Sequence, residues 1–229
     1  MAEFDDYVES YIKEVNKSIK ISGGTLHHFA EYKVNKVKEW LPLINENNIK
    51  NVLDFGCGLG LAEIYFERYF PKSKLYGVDV SEKSIDYAQK IPLNNTEFCV
   101  YDGNKIPFES DRFDIVFSAG TFHHIPMDKH LGLMKEINRV LTSKGIFFLF
   151  ELNRINPLVR YMSYKSRFDI NADLLYPNSV KRVLIKAGFQ DIQLNFIIFF
   201  PKFLHRLLFL ENYLSRVPIG AQYCFISQK

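Results

Sequence analysis

The sequence predicts a doubly wound α/β domain: a mostly parallel, seven-stranded sheet with helices on both faces, closed by an antiparallel C-terminal hairpin. Three observations carry that prediction. Between residues 50 and 152, short apolar runs alternate with stretches in which apolar residues recur at helical spacing. The run Ile146 to Leu152 is almost wholly apolar, as a strand covered on both faces must be. The first run, Val52-Leu53-Asp54-Phe55, ends in glycines 56, 58 and 60, which suit a tight turn from a strand into a helix.

The elements follow in chain order. Residues 5 to 41 read as two helices broken at Ser22-Gly23-Gly24, the second carrying Phe29, Tyr32, Val34, Val37 and Trp40 up to Pro42. This gives an N-terminal extension, residues 1 to 45, placed as a helical lid on the domain that fills 46 to 229. After the strand at 50 to 56, residues 61 to 70 carry Leu61, Ile64, Tyr65 and Phe66 at helical spacing. A second strand, 75 to 80, precedes Ser81, which can N-cap a helix to about Lys90. Strands at 96 to 101 and 113 to 118 follow. A helix from Asp128 to Leu141 presents Leu131, Met134, Ile137 and Val140 on one face, and Gly145 is expected to end that unit before the fifth strand. Residues 153 to 178 are polar, basic and punctuated by proline, which predicts an inserted segment over the carboxyl edge of the sheet. A helix from Asn178 to Ala187 ended by Gly188, a strand from Ile192 to Phe200, an apolar helix from Lys202 to Ser215 and a last strand from Ala221 to Ser227 complete the chain. Strands spaced by helices imply right-handed crossovers.

Composition narrows the class. The 229 residues are 47% hydrophobic and 24% charged, which suits one domain with a substantial core. No run of 18 or more apolar residues appears, and the acidic start Met1-Ala2-Glu3-Phe4-Asp5-Asp6 is unlike a secretory signal, so a cytoplasmic protein is expected. Cys57, Cys99 and Cys224 form no cluster at zinc spacing, and neither a metal nor a disulfide is expected. The net charge of +3 is uneven: residues 1 to 150 hold 18 Lys+Arg against 21 Asp+Glu, and residues 151 to 229 hold 11 against 5. The basic last third suits an anionic ligand or a membrane surface, or is a solvated face.

In an open α/β sheet, ligands bind beyond the carboxyl ends of the strands. Four strand ends carry suitable groups here. Asp54 with Gly56, Gly58 and Gly60 lets a ligand approach the backbone and meet the positive end of the next helix. Asp79, with Val80 beside it, has the acceptor pair for a ribose diol. Asp102-Gly103 offers a carboxylate and a flexible N–H to a purine edge. Ser118-Ala119-Gly120 closes the row. His123 and His124, just past the fourth strand, are the candidate catalytic pair, His124 foremost, because imidazole titrates in a useful range; packing of the loop before Pro126 is the alternative.

These residues carry a resemblance. VLDFGCGLG, the GVD of the second strand, Tyr101-Asp102-Gly103, FDIVFSAGTFHHI at 113 to 125 and INRVLTSKGIFFLFE at 137 to 151 together resemble the ordered motifs of class I S-adenosylmethionine-dependent methyltransferases, nearest to the ubiquinone/menaquinone-type group. The similarity covers roughly residues 50 to 152. It implies a Rossmann-like fold and S-adenosylmethionine as cofactor, with Asp54 and the glycines toward its methionine moiety, Asp79 at the ribose, and Asp102 with Gly103 at the adenine. N-terminal stretches similar to the leaders of some relatives, whose first helices lid the cofactor, add Tyr11 as a cofactor-binding residue, with Tyr32.

A nicotinamide-dependent oxidoreductase is the rival, but its G-x-G-x-x-G places the third glycine where this chain has Leu61, and no Lys-Ser/Thr follows for a P-loop. A non-catalytic cofactor-binding module would share the same motifs. On the acceptor side, Arg154, Arg160, Tyr164 and Arg167 lie in a stretch without an acid until Asp169, which suits an anionic, lipid-linked or sugar-linked small molecule. Nucleic acid is not the expected substrate, since the sequence has no recognisable binding module for it. Residues 202 to 215 read as core packing or a homodimer contact, with peripheral membrane contact as the alternative.

Overall fold

The computed structural model describes residues 24–41, 49–165 and 172–229. Tyr11 and Arg167 lie outside the described residues, as does the first of the two N-terminal helices. Seven strands form one sheet in the order β3-β2-β1-β4-β5-β7-β6. They are β1 (Asn51–Phe55), β2 (Lys74–Asp79), β3 (Thr96–Val100), β4 (Phe113–Ala119), β5 (Leu141–Leu152), β6 (Gln190–Ile197) and β7 (Gln222–Gln228). β1 to β5 pair in parallel, and β7 runs antiparallel to both β5 and β6. From β1 the chain steps outward through β2 to β3 and then returns past β1 to β4, and this reversal of strand order leaves a crevice at the carboxyl ends of β1 and β4.

Alternation along the strands builds two apolar layers. In β5, Phe147 and Leu149 face one layer with α4 (Met127–Val140) and α6 (Pro177–Lys186), while Ile146, Phe148 and Phe150 face the other. That second layer takes Val34 and Val37 of α1 (Leu26–Trp40), Leu41 at its C-cap, and Ala62 and Phe66 of α2 (Leu61–Tyr69). Trp40 stacks on Phe148 and Phe150 at centroid distances of 6.5 and 6.2 Å. The helix read from sequence as part of a lid is therefore also a packed member of the sandwich. Thr25 caps it by accepting the His28 N–H, and Ser81 caps α3 (Glu82–Ala88) by accepting the Ser84 N–H.

Two expectations need correction. Gly145 ends nothing: β5 begins at Leu141, directly after α4, with Leu141 paired to Phe113. A Cβ at Gly145 would stand 2.9 Å from the Phe113 carbonyl oxygen, so the glycine serves the close approach of two strands across a register shift. The single apolar helix expected over 202 to 215 is instead a 3₁₀ segment, Lys202–Leu210, kinked at Leu204, followed by one turn of α-helix, α7 (Glu211–Leu214). The inserted segment contributes a short helix, α5 (Pro157–Lys165).

Candidate active site

The first strand delivers Asp54 to its carboxyl end, and Gly56, Gly58 and Gly60 follow with φ of +77, +52 and +72°, values that strain any residue with a Cβ. The turn is pinned to β2: the Gly56 and Cys57 N–H groups donate to the Val78 carbonyl at 2.8 and 3.1 Å, and the Gly58 N–H donates to Asp79 Oδ2 at 2.9 Å. The other oxygen of Asp79 accepts the Ser81 N–H at 2.9 Å. The glycines differ in purpose. A Cβ at Gly56 would lie 2.3 Å from the Thr121 methyl, and one at Gly60 2.9 Å from Ala88, whereas at Gly58 it would meet nothing. Gly58 thus keeps space open for a ligand, and Gly56 and Gly60 serve packing.

That space belongs to a cavity of about 410 Å³. Its floor is Asp54, the glycine turn and Asp79, one flank is Val80 and Gly103, the other is Ala119, Thr121 and His124, and its roof is Leu26, Phe29 and Lys33 of α1. Asp54, Gly56, Gly58, Asp79, Val80, Gly103, Ala119 and His124 therefore meet there as the sequence suggests. Asp102 is exposed outside the lining, with Oδ1 accepting the Asn104 and Lys105 N–H groups, which hold its carboxyl below the usual range. Arg154, Arg160 and Tyr164 are not brought to the cavity: the Arg154 guanidinium donates to the Leu174 carbonyl and stacks on Tyr176, and Tyr164 is 89% exposed.

Three charged residues that sequence reasoning missed complete the site. Lys33 reaches in from α1, and burial pushes its ammonium down to about 8 against the opposing fields of Glu151 and Asp54. Glu63, on α2, is buried beside Asp54. Neither Glu63 oxygen receives a donor among the described residues, yet the two carboxyls lie within hydrogen-bonding reach of each other. Two ionised carboxylates cannot make that contact, and one shared proton satisfies it. Burial first, then the charge of Asp79, pushes Asp54 up to about 8. A carboxyl that stays protonated in the fold but ionises near 4 in the unfolded chain loses stability as pH rises between those values. Asp54→Asn should accordingly gain stability relative to wild type from about pH 4 to 8 in urea melts, and parallel curves would remove the buried proton from the picture.

The third is Glu151, fully buried at the end of β5. It accepts the Phe122 N–H at 2.8 Å and pairs with His123 Nδ1 at 2.5 Å. His123 is thus part of the wall of a 3₁₀ turn, Phe122–His124, and His124 packs on it with ring centroids 4.2 Å apart. Burial, then the neighbouring His123, pushes His124 down to about 3, so the ring facing the cavity is neutral at physiological pH. A base that weak accepts a hydrogen bond from a nucleophile better than it carries off a proton.

All three had a trace in the sequence: each interrupts an apolar stripe. Lys33 continues the helical stripe of Leu26, Phe29 and Ala30, Glu63 lies three residues before Phe66, and Glu151 shares a strand face with Phe147 and Leu149.

Residues 52–145 match the family model described as a methyltransferase domain. A demethylmenaquinone methyltransferase of Thermotoga maritima is 32% identical over 115 residues, 50% of this chain and 49% of that protein. A chloroplastic 2-methyl-6-phytyl-1,4-hydroquinone methyltransferase of Oryza sativa subsp. japonica is 28% identical over 146 residues, 62% of this chain and 42% of its own. The chain thus spans about half the length of these relatives. Among solved structures, a SAM-dependent methyltransferase of Thermotoga maritima superposes with a TM-score of 0.67 at 20% identity, covering 99% of this chain and 98% of that one. The Haemonchus contortus phosphoethanolamine N-methyltransferase 2, in complex with S-adenosyl-L-methionine, superposes with 0.69 at 17% identity, covering 100% and 60%. The sheet order and the glycine turn agree with these matches, and residues 52–145 carry a methyltransferase domain.

Proposed function

We propose that this chain binds S-adenosylmethionine in the cavity under α1 and transfers its methyl group to a small-molecule acceptor with an apolar body. The observation that carries the reading is the pairing of opposite charges on the cavity wall: the Asp54 carboxyl, with Glu63 buried behind it, and the Lys33 ammonium stand ready for an ammonium and a carboxylate, the two ends of a free amino acid. When bound, S-adenosylmethionine supplies a methyl carbon on a sulfonium, open to in-line displacement.

The chain's own part is to hold, orient and dry. Lys33 and Asp54 would hold the amino-acid end, Asp79 the ribose hydroxyls, and Val80 and Gly103 the base. Because Asp79 already receives two backbone N–H groups, its remaining lone pairs are fixed in direction before any ligand arrives. Helix α1 acts as the lid, and with Phe29, Ile125, Pro126 and Leu133 it makes the acceptor side mostly apolar and excludes water. Such walls suit a flat or greasy acceptor better than a strongly anionic one, and the two relatives named for quinone-type compounds point the same way. His124 positions the nucleophile by accepting its hydrogen bond.

Calorimetric titration tests the reading. S-adenosylmethionine and S-adenosylhomocysteine should bind and NAD should not; binding of NAD alone would overturn it. Once a screen of acceptors yields turnover, His124→Ala should lower kcat about ten- to a hundredfold with cofactor affinity unchanged. Unchanged turnover would leave His124 a packing residue.

A further inference from the structure

We propose that the face formed by α5 and residues 203–219 docks on an anionic lipid bilayer. Four large aromatic side chains stand out of it: Phe203 is 71% exposed, Phe209 64%, Tyr213 83% and Tyr164 89%. The backbone beneath them is held. Asn156 Nδ2 donates to the Ile219 carbonyl at 2.7 Å and Asn153 Nδ2 to the Gly220 carbonyl at 2.8 Å, which holds the segment leading into α5 against the 218–220 turn. The Phe196 N–H donates to the Ser215 carbonyl at 2.7 Å, and buried Glu211 accepts the Phe199 N–H at 2.9 Å and the Tyr32 hydroxyl of α1. The sequence reading of 202–215 as core packing therefore does not hold for these side chains, which project from an anchored backbone into solvent. Phe203, Phe209 and Tyr213 project from one short surface segment, and exposed large apolar groups of that kind mark an interaction surface.

Charge selects the occupant. Arg160, Lys165, Arg206 and Arg216 are interleaved with the aromatics, and no acid occurs between Lys202 and Leu210. Of the five acids in residues 151 to 229, Glu151 and Glu211 are buried, so the surface of this third is more basic than its composition indicates. Exposed aromatic side chains with cations between them along the chain fit the headgroup and acyl boundary of a membrane carrying negative lipids. A two-fold contact with a second copy would set the same cations against one another, which disfavours self-association. No helix among the described residues is long and apolar enough to cross a membrane, so the chain would lie on the bilayer through this face. Through Tyr32 and Glu211 the docked face is tied to the helix that roofs the cavity. This docking is independent of the methyl-transfer reading.

Co-sedimentation of the full chain with phosphatidylcholine vesicles, with and without phosphatidylglycerol, tests it. Partitioning should be about tenfold stronger on the anionic vesicles and should weaken with salt. The double variant Phe203→Ser, Phe209→Ser should lose about tenfold or more in partitioning, and Tyr164→Ser, on the separate helix α5, should lose part of it. Both should keep the wild-type unfolding midpoint. Equal binding by wild type and both variants, or no binding to anionic vesicles, overturns the proposal. So does a lipid-free dimer in sedimentation equilibrium that the double variant dissociates, because the face would then be a contact between copies.

Discussion

Asp79→Ala should weaken S-adenosylmethionine binding by about a hundredfold or more, the largest loss expected from any single cofactor contact. Two effects add. The substitution removes both acceptors proposed for the ribose diol, and hydrogen bonds to a charged group are worth about 1.5–3 kcal/mol each. It also strips the Gly58 and Ser81 N–H groups of their partner, so the turn that keeps the cavity open loses its tie to β2. The protein should still fold, because α3 keeps its own cap: the Ser84 N–H is held by the Ser81 hydroxyl at 3.1 Å, without Asp79. Asp79→Asn should fall between, since it keeps one acceptor but turns an amide N–H toward a backbone donor. Calorimetry on the three proteins, with melting curves as the control for folding, measures the effect. An Asp79→Ala protein that binds as tightly as wild type would remove Asp79 from the site.

Asp79 was legible in the sequence because its signal is local: a carboxylate at the end of an apolar run, some twenty residues after a glycine turn. The same holds for Asp54, the three glycines and the strand order of β1 to β5, where each strand announces itself by an apolar run. What could not be read depends on tertiary approach. Lys33, Glu63 and Glu151 act on a site built mainly from other segments, and only the sheet brings them there. Gly145 looked like punctuation because glycine usually is; its purpose, a close pass of Leu141 against Phe113, exists only once β4 and β5 are paired. The segment 202–215 has the apolar spacing of a helix, but it lies on the surface and kinks at Leu204, where no core packs against it to favour a regular α-helix. Arg154 looked like an anion receptor in a basic stretch, and is instead occupied by the Leu174 carbonyl and the Tyr176 ring.

Glu151→Ala should destabilise the fold by about 2 to 6 kcal/mol, since it leaves two buried polar groups without their partner at about 1–3 kcal/mol each. Glu151 is 1% exposed, and its two oxygens hold two consecutive residues of the turn after β4, the Phe122 N–H and the His123 ring. Alanine would leave both without their partner in the core. Phe122 is itself buried against Phe55 and Phe147, so the loosened turn would disturb the apolar layer beneath the site. Its carbonyl-side neighbours would move too: His123 accepts the Asp173 N–H at 2.9 Å, and His124 and Thr121 line the cavity. Glu151→Gln should recover most of the stability, because the amide oxygen can still accept one of these donors. The pH dependence separates charge from packing. Burial alone would push Glu151 up, but the facing His123 and the Phe122 N–H outweigh it and hold the carboxyl below its ordinary value. A depressed carboxyl contributes stability above its unfolded pKa, near 4.3, and that stability is lost as pH falls through the lower folded value. His124, neutral in the fold down to about 3, also costs stability as pH falls below its unfolded value near 6.5. Wild type should therefore weaken in both windows, and Glu151→Gln should lose the lower one, whereas a purely steric role would leave the two acid profiles parallel.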